Sequence, residues 1–325
     1  MTFHQSNDFI DAIESAAAHF KMRTIFIEKD YWVIHVLKNL STSKLIDEVI
    51  FKGGTSLSKA HDCINRFSED IDLAILKTED MSGNQITNKI KGTEKAVSAG
   101  LDYFQHPLEE KKGRNRRTFY YYTKAIKDEN FGQVKDHIQL EINSFTQPVP
   151  YEKKVIQSYI GQFLAVKGFD EIIKQFGLET FEVNVLTRER TVFEKLLSLI
   201  RLSYEGTEKV RGKIRHFYDI HQLLNQTDLK GKILTEDNFK ILDWVMQDDA
   251  ANGIFAGDWL QKPLSESPLF KDFDSFWKEM ESTYTSELGQ LVWSELPKPA
   301  LVIDSFKQIK SFLELFDKAA KDRKQ

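Results

Sequence analysis

The sequence predicts an α+β chain, in which a sheet-bearing N-terminal part of about 186 residues is followed by a helical part. Three observations carry this. Short apolar or alternating runs recur between residues 49 and 186. Helical periodicity precedes the first of them and takes over from Arg188 onward. Pro263, Pro268, Pro297 and Pro299 fall in the connections between the later helical patterns. At 325 residues the chain is long enough for two domains, expected at 1–186 and 187–325. With 41% hydrophobic residues, among them 24 Phe, 10 Tyr and 5 Trp, it can bury a large interior and is not a disordered chain.

The elements are expected in the following order. Ser6 can cap a helix to about Phe20, and Phe26, Trp32, Val33, Val36, Leu37 and Leu40 lie at helical spacing in a second one over 25–40. Val49, Ile50 and Phe51 form a short strand that runs into Lys52, Gly53, Gly54, Thr55 and Ser56, after which Leu57 to His61 is again helical. Asp70 to Leu76 alternates, with Ile71, Leu73 and Ile75 apolar, and reads as a strand; a helix follows over about 82–99. Residues 111–117 read as a basic turn leading to an aromatic strand over 118–126. His137 to Phe145 alternates strictly, Pro148 and Pro150 end the sheet pattern, and Phe181 to Leu186 is a last short strand. Helices are expected at about 188–204, 213–225, 235–247, 272–283 and 303–320, with a frayed tail over 318–325.

Composition narrows the function. Lys plus Arg is 45 against 49 Asp plus Glu, a net charge of −4, which argues against a protein that coats nucleic acid by bulk charge but leaves room for a local basic patch. Cys63 is the single cysteine, no Cys/His cluster has zinc spacing, and no H-E-x-x-H occurs. No basic segment followed by an apolar stretch stands at the N-terminus, and no run of about 18 uncharged apolar residues is present. A cytoplasmic protein with no membrane segment is the expectation.

The chemistry is carried by acids and glycines. Residues two apart on a strand share a face, so Asp70 and Asp72 project side by side while Ile71, Leu73 and Ile75 pack behind them. Two carboxylates that close call for a cation, and Mg²⁺ is typically held by one or two carboxylates plus substrate phosphates. Glu141, on the polar face of a later strand with Gln139 and Asn143, is a candidate third metal ligand. Three carboxylates can hold two metals about 3.5–4 Å apart, one at the attacking oxygen and one at the leaving pyrophosphate, which implies nucleotidyl transfer. Gly53 and Gly54 let backbone N–H groups approach a polyphosphate, and Thr55 or Ser56 can add a hydroxyl. Alone, a strand followed by Gly-Gly-Thr also describes an ordinary tight turn, and D-x-D is common on half-exposed strands. Their order and spacing, with Glu141 on a later strand, make the set specific. Neither a Walker loop nor a dinucleotide fingerprint is present.

These residues carry a resemblance. Phe51-Lys52-Gly53-Gly54-Thr55-Ser56-Leu57, followed by Arg66-Phe67-Ser68-Glu69-Asp70-Ile71-Asp72-Leu73, resembles the signature of the AbiEii/AbiGii abortive-infection toxin family of nucleotidyltransferases. Glu28-Lys29-Asp30-Tyr31-Trp32, Leu140-Glu141-Ile142, Arg190 to Leu196 with its E-K-L, and Arg215-His216-Phe217-Tyr218-Asp219-Ile220 are similar to further family segments, so the likeness spans about residues 25–225.

The resemblance implies a polymerase-β-like nucleotidyltransferase core, a mixed sheet flanked by helices, with a C-terminal helical domain that contributes to nucleotide and acceptor binding. It implies Mg²⁺, with Mn²⁺ as a substitute, a nucleoside triphosphate substrate, an RNA acceptor such as tRNA and a cognate antitoxin. Carried over by position, Gly53, Gly54, Thr55 and Ser56 line the phosphates, and Asp70, Asp72 and Glu141 hold metal. Lys195 and Arg215 contact the nucleotide, and Asp219 is the essential acid of the helical domain. His216 departs from the pattern, standing where many members have Asp. Read without the family, Glu194 and Lys195 also describe a solvated helix face, and Arg215 with Asp219 a surface pair at i and i+4. Two other functions fit the same motifs: a nucleotide- or RNA-binding regulatory subunit without turnover, and an enzyme that AMPylates protein hydroxyls.

Remaining features have plain readings beside sharper ones. Five cations within residues 111–117, followed by aromatics, can steer and stack RNA or can form a solvated hairpin over core rings. Lys29 or Asp30 can orient site groups, and Trp32 is expected in the core. Cys63 is expected as a small buried residue, and His61, His137 and His221 in structural roles.

Overall fold

The computed structural model describes residues 2–126, 134–253 and 255–323. The chain forms two compact units, Met1–Asp62 with Phe67–Leu186, and Cys63–Arg66 with Thr187–Gln325. The four residues Cys63–Arg66, which precede Phe67–Asp70 in the chain, thus belong with the helical unit.

The first unit is built on one eight-stranded sheet, β1 (Val49–Lys52), β2 (Ile71–Ile75), β3 (Asp102–Phe104), β4 (Glu110–Lys112), β5 (Asn115–Tyr121), β6 (Ile138–Asn143), β7 (Tyr151–Ile156) and β8 (Phe181–Leu186). Its order is β3-β5-β6-β2-β1-β8-β7, with β4 also paired to β5. β2 with β6 and β1 with β8 are parallel and the other pairs antiparallel, so the sheet is mixed. Apolar residues of β1, β2, β6 and β8 pack on α1 (Phe9–Phe20), α2 (Thr24–Ser41), α4 (Gly83–Val97), α5 (Tyr159–Val166) and α6 (Asp170–Phe176). Strand alternation fixes the assignment of faces: Ile71, Leu73, Ile138, Leu140 and Ile142 are buried, while Asp72, Gln139 and Glu141 lie half-buried on the other face. The expected α+β class and mixed sheet flanked by helices are those observed.

Several elements differ from the expectation for identifiable reasons. The basic segment takes the hairpin reading, but its strands β4 and β5 run into the charged residues themselves, and β5 spans Asn115–Tyr121 where 118–126 was expected. β7 resumes the sheet directly after Pro150, because proline is tolerated at the entry to an edge strand. The first long helix starts at Phe9 with Asp8, not Ser6, at its N-cap, because Ser6 closes a preceding turn of 3₁₀ helix. The helix after β1, α3 (Gly53–Lys59), begins at the first glycine.

The helical unit contains α7 (Arg188–Ser203), α8 (Thr207–Arg211), α9 (Ile214–Leu224), α10 (Phe239–Ala251), α11 (Pro268–Lys271), α12 (Phe273–Ser286) and α13 (Pro299–Asp322). Its core is aromatic: Phe306 lies 4.8 Å from Phe217 and 4.9 Å from Phe273 between ring centroids, and Trp277 packs on both partners. Pro299 starts α13 at a position where its missing N–H costs nothing. The tail expected to fray is helical to Asp322, and its last two residues lie outside the described ones. No helix is long and apolar enough to cross a membrane among the described residues.

Candidate active site

In the first unit the site begins where β1 ends. Gly53 has φ +82°, a left-handed conformation that side chains disfavour, and a Cβ built on it would lie 2.1 Å from Asp72 Oδ2. The glycine is therefore what admits the Asp72 carboxylate against the turn. Thr55 and Ser56 are fully buried and their hydroxyls point inward: Thr55 donates to the carbonyl of Asp70 at 2.6 Å and shares a hydrogen bond with the Ser68 hydroxyl at 3.0 Å, and Ser56 donates to the carbonyl of Gly53 at 2.9 Å. Where the sequence offered these hydroxyls to a phosphate, the structure spends them on holding the turn to the acidic strand. Gly53 and Gly54 are half-exposed.

Strand register brings the acids together. Asp72 pairs with Lys52 of β1 on one side and with Glu141 of β6 on the other, and Glu141 pairs with Arg117 of β5. Arg117 Nε and Nη2 both lie 3.0 Å from Glu141 Oε2. Among the described residues no three His, Cys, Asp or Glu side chains gather as a metal site, so Glu141 stands beside the pair with its carboxylate committed to Arg117. Asp70 Oδ1 accepts a hydrogen bond from Lys135 Nζ at 2.6 Å, and the same ammonium donates to Gln139 Oε1 at 2.8 Å. The donor set suits a hard divalent cation, since Asp70 already attracts a cation and the Asp72 carboxylate lies against the Gly53 turn.

Three consecutive charges of α2 are buried behind this face, each serving a different segment. The Glu28 carboxylate accepts from the N–H groups of Ala125 and Ile126. Lys29 forms an ion pair with Glu69 at 3.2 Å and donates to the carbonyls of Lys135, at 2.7 Å, and His137. Asp30 pairs with Lys59 at the end of α3 and accepts from the Tyr159 N–H at 2.7 Å. Burial pushes the carboxyls of Glu28, Asp30 and Glu69 up and the Lys29 ammonium down, and the partners oppose both shifts. Of Lys29 and Asp30, the two residues of this helix that the sequence offers for orienting site groups, Lys29 is tied to Glu69, the residue just before Asp70.

An aromatic shelf continues the face that carries Asp72 and Glu141. Phe104 stacks on Tyr121 at 3.9 Å and His106 on Phe119 at 4.0 Å, with His137 at their edge. Most cations of the hairpin have acidic partners: Lys111 with Glu109, Lys112 with Glu110, Arg116 with Glu94 and Arg117 with Glu141, while Arg114 is exposed at the turn.

In the helical unit, Asp219 of α9 is fully buried between two cations. Arg66 grips it through Nε and Nη2, both at 2.7 Å, and Lys195 of α7 lies at 2.9 Å. Burial pushes the Asp219 carboxyl up, but Arg66 and Lys195 more than offset this and hold it far below the carboxylate range. The i and i+4 reading of Arg215 with Asp219 missed Arg66, which lies 153 residues away in sequence. Arg66 belongs to an extended segment held by Gln226 to the carbonyl of Cys63, by Tyr218 to the N–H of Asn65 and by a β-bridge to Val292. Burial, reinforced by Lys195, pushes His216 well down, so its ring is neutral. Arg215 is half-buried on the same helix. Trp32 and Cys63 are buried, and His61 and His221 bond to the Leu186 carbonyl and to Ser305.

Comparison with known proteins gives the family. Two solved structures are similar at low identity: an H. pylori protein assigned as a nucleotidyltransferase, at 16% identity and TM-score 0.46 over 93% of this chain and 98% of that one, and the nucleotidyltransferase toxin MenT4 of Mycobacterium tuberculosis, at 14% identity and TM-score 0.38 over 83% and 98%. No curated protein sequence matches the chain. The family model described as "Nucleotidyl transferase AbiEii toxin, Type IV TA system" matches residues 35–295, which takes in Gly53, Asp70, Asp72, Glu141, Lys195 and Asp219. The chain therefore belongs to the AbiEii family of nucleotidyltransferase toxins.

Proposed function

We propose that the protein transfers a nucleoside monophosphate from a triphosphate to a hydroxyl of an RNA acceptor, tRNA being the favoured class, in the cytoplasm, as the toxin of a pair with a separate antitoxin. The observation that carries the reading is the approach of Asp72 to Gly53 beside Asp70, an acidic pair set at a glycine turn. In the reaction the acceptor oxygen forms a bond to the α-phosphorus as the bond to the pyrophosphate breaks. Asp70 and Asp72 would hold Mg²⁺ or Mn²⁺, with Glu141 next to them in register. The bound ion would supply charge neutralisation at the phosphoryl oxygens and lower the pKa of the attacking hydroxyl. The N–H groups of Gly53 and Gly54 are suited to a phosphate oxygen, neither residue having a side chain of its own. Thr55 and Ser56 support the same role indirectly, by fixing the turn and the Asp70 backbone.

In the helical unit we assign Lys195 and Arg215 to the nucleotide as cationic contacts, and Asp219 to positioning. Its carboxylate fixes the Lys195 ammonium, and the pairing keeps the carboxylate ionised. Tyr121, 44% exposed at the edge of the shelf of Phe104, His106 and Phe119, supports an RNA acceptor, because an unpaired base stacks on an accessible aromatic ring whatever its identity.

The test is incubation of the protein and of Asp72→Ala with Mg²⁺, total RNA and each α-labelled triphosphate in turn, with label followed into RNA and protein on a denaturing gel. Label on RNA from wild type alone is the expected result. Label on protein would move the reading to AMPylation, and triphosphate binding with no transfer would move it to a regulatory subunit.

A further inference from the structure

Lys135 is built into the acidic site in an unusual way. Its backbone is anchored on both sides: the N–H donates to Glu69 Oε1 at 2.9 Å and Oε2 at 3.2 Å, and the carbonyl accepts from Lys29 Nζ at 2.7 Å. Lys29 and Glu69 are themselves a buried ion pair, their side chains 0% and 5% exposed, and Glu69 is the chain neighbour of Asp70. The root of the Lys135 side chain is thereby fixed within reach of the Asp70 carboxylate. Its tip is not buried: the side chain is 36% exposed, and the ammonium bridges Asp70 Oδ1 and Gln139 Oε1. Asp70 therefore carries a cation supplied by the protein at the place where the proposed metal would bind.

We propose that Lys135 is the resident counter-ion of Asp70, displaced when a divalent cation binds, so that it lowers the affinity of the site for free metal. The inference rests on the reading of Asp70 and Asp72 as metal ligands. An ammonium and a divalent cation on one carboxylate repel each other, so the metal must break the Lys135–Asp70 pair before it gains the full attraction of the acid. The fixed backbone and exposed tip suit a group that swings aside without disturbing the fold.

The experiment is a titration of the intact protein with Mn²⁺ alone, no nucleotide present, reading free Mn²⁺ by its electron paramagnetic resonance signal. Wild type, Lys135→Met, Lys135→Arg and Asp70→Asn are compared. For an ion pair this exposed, Lys135→Met should bind Mn²⁺ roughly threefold to tenfold more tightly than wild type. Lys135→Arg keeps the cation and should stay near wild type, and Asp70→Asn should bind more weakly. A lysine with a merely structural role would leave affinity unchanged or reduced on removal. If Asp70→Asn weakens binding but Lys135→Met does not tighten it, the counter-ion proposal is overturned while the metal reading stands. If Asp70→Asn binds Mn²⁺ like wild type, the metal reading fails and the proposal with it.

Discussion

Asp72 Oδ2 lies where the side chain of any other residue at position 53 would begin, 2.1 Å from the place of a Cβ on Gly53. The approach couples the two halves of the motif, which lie on antiparallel neighbours with Lys52 and Asp72 in register. Neither can change alone.

Gly53→Ala should therefore harm both fold and chemistry. The positive φ and the collision together should cost roughly 1–3 kcal/mol of stability, read from urea denaturation. Displacing the carboxylate by even an ångström should lower nucleotidyl transfer by about 100-fold. An alanine variant with wild-type transfer would exclude Asp72 from the reaction.

The acids should separate by function. Asp72→Asn should reduce transfer by about 10³-fold or more, as expected for a lost metal-holding group. Glu141→Gln should fall in the range of about 10- to 100-fold typical of a supporting outer ligand, because its carboxylate is already committed to Arg117. Equal losses in single-turnover assays of the two variants would make Glu141 a full ligand.

Removing one partner of the buried Lys29–Glu69 pair should be costly. Lys29→Met leaves Glu69 buried without its cation and should destabilise the first unit by about 3–5 kcal/mol. The double variant Lys29→Met, Glu69→Gln should recover part of that loss. A denaturation midpoint little changed by Lys29→Met would mean that the pair is not what holds residues 135–137 to Glu69.

Acid should weaken the helical unit in two stages. His216 is held below its ordinary value of 6.5, so the unfolded chain binds a proton that the folded one refuses, and stability falls as pH drops below about 6.5. For one proton the slope approaches about 1.4 kcal/mol per pH unit. Asp219 is held below 3.8, so its contribution is complete above that value and is lost as pH falls through and below it. Burial shifts His4, His137 and His221 in the same direction, so the informative quantity is the difference between wild type and His216→Gln. That variant should flatten the loss between about pH 6.5 and 5 while keeping the one below pH 4. An unchanged slope in thermal melts across that range would refute a neutral ring at the half-buried His216.

Much of the acidic face was legible in the sequence because strand alternation is a local property. Ile71, Leu73 and Ile75 had to pack, so Asp72 had to face away from them, and the same logic exposed Gln139 and Glu141. Local pattern left residues 110–121 open between an RNA-steering patch and a solvated hairpin, and it failed at 151–156, where two prolines marked an end and an edge strand followed. It also misdirected Thr55 and Ser56, whose hydroxyls look available in sequence and are buried in the turn.

By itself the sequence determined the α+β class, the glycine turn, the acidic pair and the family, all of which rest on residues near one another in the chain. Only the tertiary structure decided which charges meet: Lys135 with Asp70 across 65 residues, Glu28, Lys29 and Asp30 with three separate segments, and Arg66 with Asp219 across 153. The physical reason is that periodicity reports which face a residue occupies, whereas the partner of a buried charge is set by strand register and helix packing between distant segments.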